Sequence, residues 1–94
     1  MTNLERYLSA SIKSSKSVTK EFSTSFSLGI QCLGKEIRDP VYSIYGFVRV
    51  ADEIVDTFFE TNQEALLKDF ESSTFSAIKE KFSTNVILHS FQST

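Results

Sequence analysis

The chain has no tryptophan, one cysteine, one proline, one histidine and three glycines in 94 residues. A lone cysteine, Cys32, excludes a disulfide framework and a cysteine-built metal cluster. A reducing, cytoplasmic compartment fits that usage. So little glycine and proline is unusual for a β-rich domain, which needs them at its turns, and the balance favours helices. No run approaches the ~18 apolar residues of a membrane span. The opening MTNLERYLSASIK carries charge early and has no continuous apolar stretch, so a secretory signal is not expected. Ten basic against twelve acidic residues leave a net charge of −2. There is no broad basic field, and nucleic acid is not an expected partner. What the chain does have is nine phenylalanines and three tyrosines, enough for an aromatic-rich core in one small domain.

Apolar spacing predicts a series of helices. Residues 4–18 carry a stripe of Leu4, Tyr7, Leu8, Ser11, Ile12 and Ser15, with Asn3 as the expected N-cap. The serines and lysines at 13–17 read as a polar face or a fraying end. In 19–33, Phe22, Phe26, Ile30 and Leu33 recur at helical spacing among Ser23, Thr24, Ser25 and Ser27. Those hydroxyls suit either a helix cap or an anion. Gly34 suits the C′ position of that helix, and Asp39-Pro40 suits N-cap and N1 of the next, unless it begins nearer Lys35. That central helix runs to about Phe59. Asn62 is the expected cap of a further helix, whose inner face is Ala65, Leu66, Asp69, Phe70, Ser73, Ala77 and Ile78, with Glu64–Lys68 outside. Asn85 caps a short last helix holding Val86, Ile87, Leu88 and Phe91. His89, beside that apolar face, reads as structural rather than as a ligand.

The central helix carries the chemistry. Tyr42, Tyr45, Arg49, Asp52 and Asp56 step by 3, 4, 3 and 4, so they share one face. The other positions are nearly all apolar, so the helix is expected to be buried among several neighbours. A chain this short rarely supplies them, which suggests the first part of a larger protein. Asp52 and Asp56 lie roughly 6 Å apart along the axis. Carboxylates at that spacing suit Mg²⁺, which takes one or two of them and fills its remaining sites with water and phosphate oxygens. Arg49 either grips phosphate oxygens or pairs with an aspartate across the turn. The tyrosines add hydroxyls and cation-stabilising ring faces. Together these parts suggest a Mg²⁺-assisted diphosphate site beside an apolar cavity.

The segment STSFSLGIQCLGKEIRDPVYSIYGFVRVADEIVD resembles the N-terminal signature of the squalene and phytoene synthase family. The matching residues are Ser23, Ser25 and Phe26, then Tyr45, Arg49, Asp52 and Asp56. NVILHSF is similar to a weaker family segment. Gly34 stands where the family usually has proline, and Glu53 where a second aspartate is common. The resemblance implies an all-α isoprenoid-synthase bundle, with 1–94 as an incomplete N-terminal part. It implies head-to-head condensation of two allylic prenyl diphosphates, geranylgeranyl or farnesyl, through a cyclopropyl diphosphate, as in carotenoid biosynthesis. Mg²⁺ would lie between two aspartate motifs on facing helices. Asp52 and Asp56 would be metal ligands, with Arg49 and Tyr45 catalytic and Ser23, Ser25, Phe26 and Tyr42 around the substrates. Lipid-like substrates leave peripheral membrane contact open.

No second D-x-x-x-D occurs in the chain, so by itself it is expected to be inactive. Three readings compete. One is a phytoene synthase-like prenyltransferase, with squalene or dehydrosqualene synthase types beside it. Another is a non-catalytic, assembly-factor-like relative, against which Asp52, Asp56 and Arg49 argue. The third is a small helical interaction domain.

Overall fold

The computed structural model describes residues 1–56 and 62–94, which form five helices and no strand. They are α1 Asn3–Phe22, α2 Thr24–Gln31, α3 Lys35–Asp56, α4 Gln63–Glu80 and α5 Val86–Gln92. The all-α expectation holds. The expected continuation of the central helix to Phe59 lies partly outside the described residues.

The start of α1 is set by Thr2, not by Asn3. The Thr2 hydroxyl accepts from the Glu5 amide at 3.1 Å, and the Glu5 carboxylate accepts from the Thr2 amide at 3.0 Å. This reciprocal capping box needs a hydroxyl three residues before a glutamate, a spacing Asn3 does not have. The helix also runs past Val18 to Phe22 instead of fraying through its serines. Their hydroxyls fold back on the helix. Ser11 donates to the Tyr7 carbonyl at 2.8 Å and Thr19 to that of Ser15 at 2.9 Å. Hydroxyls used this way can be buried, and Ser11 and Thr19 are fully buried; Ser15, between them, is fully buried as well, with its hydroxyl unpartnered.

That stripe of small side chains packs on α3. A Cβ built on Gly46 would sit 3.2 Å from the Ser15 Cα and 3.0 Å from its Oγ. The two helices approach closely because Gly46 has no side chain. Helix α5 completes the group. Leu88 and Ser90 are fully buried, Ser43 and Ser90 hydrogen-bond through their hydroxyls, and Phe91 stacks on Phe47 at 4.0 Å.

The α2–α3 turn differs from the expected one. Helix α2 ends at Gln31 with Cys32 as its cap, and no described glycine has positive φ, so Gly34 is not a left-handed C′ residue. Helix α3 begins at Lys35, with Pro40 inside it. Asp39 is not a cap, because its carboxylate pairs with Lys16 at 3.1 Å. Pro40 is the sixth residue of α3, and without an N–H it forfeits the bond to the Glu36 carbonyl. Arg38 tightens the turn by donating to the carbonyls of Leu33 at 2.9 Å and Gln31 at 3.0 Å.

Asn62 and Asn85 cap α4 and α5 as expected. The expected inner face of α4 is too broad. Ala77 is buried and Phe70 half-buried against Phe47, whereas Leu66 and Ile78 are exposed. The reason is the shape of the molecule, a slab of 39 × 32 × 16 Å. Two helices packed at 8–10 Å are already about 13–15 Å thick across their Cα atoms. Every helix therefore keeps an outer face, α3 included. Its Ile44, Val48 and Val55 are about half exposed. The expectation that α3 is apolar and enclosed on its other faces is corrected accordingly.

His89 is buried between α1 and the α4–α5 turn. Its ring lies 4.6 Å from that of Tyr7 and 5.1 Å from that of Phe82, and its Nδ1 accepts from the Ser83 amide at 3.2 Å. Burial depresses its pKa below the ordinary value of 6.5.

This packing makes the three glycines unequal. Gly29→Ala, with open space around the new methyl, raises stability by up to ~1 kcal/mol through helix propensity. At Gly46 the same change meets the Ser15 backbone, and overpacking costs of ~1–3 kcal/mol exceed that gain. Denaturant melts of the two variants should move in opposite directions. His89 makes stability depend on pH. A depressed folded pKa means the unfolded chain binds the proton more readily, so this contribution is complete above 6.5 and lost as pH falls from 6.5 toward the folded value. His89→Gln should flatten the denaturation midpoint against pH in that window.

Candidate functional site

The turn from α1 into α2 places aromatic and hydroxyl groups against α3. Ser23 caps α2, accepting from the Phe26 amide at 3.1 Å. Of the two sequence-level roles for these hydroxyls, Ser23 therefore has the capping one. Because α2 and α3 run antiparallel through a tight turn, contacts fall on α3 as they rise on α2. The Tyr42 hydroxyl lies 3.3 Å from that of Ser27 and accepts from the Gln31 amide at 2.6 Å. One turn along α3, Tyr45 stacks on Phe26 at 4.7 Å. One turn further, the Arg49 guanidinium lies over the Phe22 ring at 5.2 Å. These three rungs bring together the two parts of the sequence pattern, which lie some twenty residues apart.

Exposure rises along the polar line. Tyr42 is buried, Tyr45 and Arg49 are half-buried, and Asp52 and Asp56 are exposed. The expectation of acids inside a buried helix is therefore corrected. They sit on the last two turns of α3, where the slab leaves that face uncovered. Ser25, on the first turn of α2, is also exposed. Arg49 pairs with Glu53 at 2.9 Å, not with an aspartate across the turn. Its Nε is buried with no hydrogen-bond partner. Among the described residues, neither Asp52 nor Asp56 is in an ion pair, and no group of three or more His, Cys, Asp or Glu side chains is gathered as for a metal.

The donor set fits a divalent cation shared with a phosphate-bearing ligand. Two exposed carboxylates one turn apart are the number of protein ligands Mg²⁺ commonly takes. Arg49, on the same helix face one turn before Asp52, adds a half-buried guanidinium suited to an anion, although its unpartnered Nε is itself enclosed. Behind this face, between α3 and α4, lies an apolar hollow of about 270 Å³ walled by Phe47, Ala51, Leu67, Phe70, Thr74 and Phe75. A larger hollow of about 550 Å³ at the α4–α5 turn shares no residue with the polar line.

Sequence reasoning missed Phe22, Ser27, Gln31 and Glu53 as partners here. One signal was available for the first. Phe22 and Phe26 repeat the four-residue spacing of Tyr45 and Arg49, as facing rungs require.

The model of a family described as squalene/phytoene synthase matches residues 19–94. No curated protein and no solved structure matches the chain. No helix among the described residues is long and apolar enough to cross a membrane.

The Tyr42 rung can be checked by titration. The hydrogen bond with the Ser27 hydroxyl is the largest cause holding the Tyr42 phenol below its usual pKa of 10.0, and burial opposes it. The Gln31 amide and the charges of Lys20 and Lys16 lower it further. In Ser27→Ala, the Tyr42 ionisation midpoint, isolated by difference absorbance against Tyr42→Phe, should move up. Stability should fall by ~0.5–1.5 kcal/mol, the usual worth of one such bond.

Proposed function

The chain belongs to the squalene/phytoene synthase family, and from that premise we propose that it forms one wall of a site condensing two allylic prenyl diphosphates head-to-head. The observation that carries the reading is the rung pairing. It sets the Ser-Phe segment of the family pattern against Tyr45 and Arg49, with Asp52 and Asp56 beyond them on the same face. Phytoene-type synthesis, with geranylgeranyl or farnesyl diphosphate as substrate, is the reaction we assign.

In this reading Asp52 and Asp56 hold Mg²⁺, which supplies charge neutralisation to the departing diphosphate. The chain's own residues do the rest. Arg49 donates N–H bonds to diphosphate oxygens in a guanidinium plane already fixed by Phe22 and Glu53. The Ser25 hydroxyl, exposed on the first turn of α2, is a further donor to that anion. Tyr45, held flat by Phe26, offers a ring face to the allylic cation formed when the C–O bond breaks. The double bond of the second substrate would then attack that cation and lose a proton to give a cyclopropyl diphosphate, which would expel its diphosphate, rearrange and lose a second proton to give the product.

One aspartate motif provides half of the metal ligands. A second motif, on a facing helix outside these residues, completes the site in this proposal. Asp52→Ala and Asp56→Ala, made in a protein carrying both motifs, should each lower Mg²⁺-dependent turnover by on the order of 10²-fold. The 94-residue chain alone should give no product with Mg²⁺ and either substrate. Undiminished turnover in both aspartate variants, or product from the isolated chain, would contradict the assignment.

A further inference from the structure

Arg49, the diphosphate ligand of the proposed function, is not an idle cation, and the role inferred here for its neighbour Glu53 rests on that function. The Arg49 Nη2 lies 2.9 Å from a Glu53 carboxylate oxygen, and both side chains are largely buried, at 24% and 18% exposure. Charges so withdrawn from water are weakly screened. Glu53 therefore cancels most of the positive potential that Arg49 would show an approaching anion. Asp52 precedes Glu53, and Asp56 lies one turn beyond Asp52, so the surroundings are acidic. A bare diphosphate meets no net attraction here, and a metal-complexed one does.

We infer that Glu53 sets the metal dependence of diphosphate capture, by occupying Arg49 until a divalent cation is present to offset the local acids. Glu53 is a positioning residue acting through Arg49. The role comes from the length of the Glu53 side chain and its ion pair with Arg49.

The test is calorimetric titration of the chain with inorganic pyrophosphate, with and without Mg²⁺. Circular dichroism melts verify that each variant folds. Glu53→Gln keeps the shape and a carbonyl acceptor for Nη2 but removes the charge. Without metal, this variant should bind pyrophosphate about tenfold tighter than wild type, a change of about 1.4 kcal/mol. With saturating Mg²⁺ the advantage should vanish or reverse. Adding Arg49→Gln to Glu53→Gln should abolish the metal-free gain. Equal or weaker metal-free binding by Glu53→Gln, alongside Mg²⁺-dependent binding by wild type, overturns the role of Glu53 and leaves the diphosphate site standing. No binding by any form with Mg²⁺ overturns both. A wild-type measurement serves if the variant does not fold. The Arg49 Nε resonance should move when pyrophosphate is added with Mg²⁺ and stay in place without it. Equal movement in both cases overturns the inference.

Discussion

The close approach of α1 to α3 at Ser15 and Gly46 is the constraint on which the rest of this structure depends. A glycine on one helix and a serine on the other leave no room for a larger side chain at the crossing. On either side of the crossing the Ser11 and Thr19 hydroxyls are satisfied by their own helix, while that of Ser15 at the contact is buried without a partner. With that crossing fixed, the C-terminal end of α1 reaches α3 at Arg49 and delivers Phe22 beneath the guanidinium. The cap at Ser23 then turns the chain into α2, and Phe26 and Ser27 fall on Tyr45 and Tyr42. A local packing choice thus sets the order of the polar groups along one face.

That face is built as a gradient. At the Tyr42 end the groups are buried and satisfied, with hydrogen bonds to Ser27 and Gln31. Toward the C-terminal end of α3 they become exposed acids. Arg49 stands between, one edge paired and one donor unsatisfied. Buried unsatisfied donors are uncommon in folded proteins and are costly when nothing answers them. Among the described residues the Ser15 hydroxyl is the other buried side-chain group without a partner. The slab shape accounts for the exposure of both the acids and the apolar Ile44, Val48 and Val55.

Much of this was legible in the sequence, and, apart from the local start of α1 and the α2–α3 turn, the parts that were not share a cause. Helix existence, the Asn62 and Asn85 caps and the Glu64–Lys68 pair depend on neighbours within a turn, and local chemistry decided them. The polar line on α3 was readable for the same reason. Burial was not. Ser15 looks like a surface residue until Gly46 is placed against it, and α4 looks broadly amphipathic until the thin slab covers only its Phe70–Ala77 edge. Nor could spacing choose the partner of Arg49. Aspartate across the turn and glutamate one turn on are both in reach, and the longer glutamate makes the contact. The family signature supplied what periodicity lacked, a reason to join residues 23–26 to residues 45–56, and the rung pairing gives that join its physical form.

The central claim is that the α2–α3 face, and not the histidine end of the slab, receives a metal-bound diphosphate. A backbone amide chemical-shift map of the chain titrated with pyrophosphate and Mg²⁺ tests it most directly. The largest movements should fall in residues 22–27 and 45–56, with the amides around His89 and Phe82 nearly still. Movements concentrated at the α4–α5 turn, or spread evenly over the five helices, would contradict it.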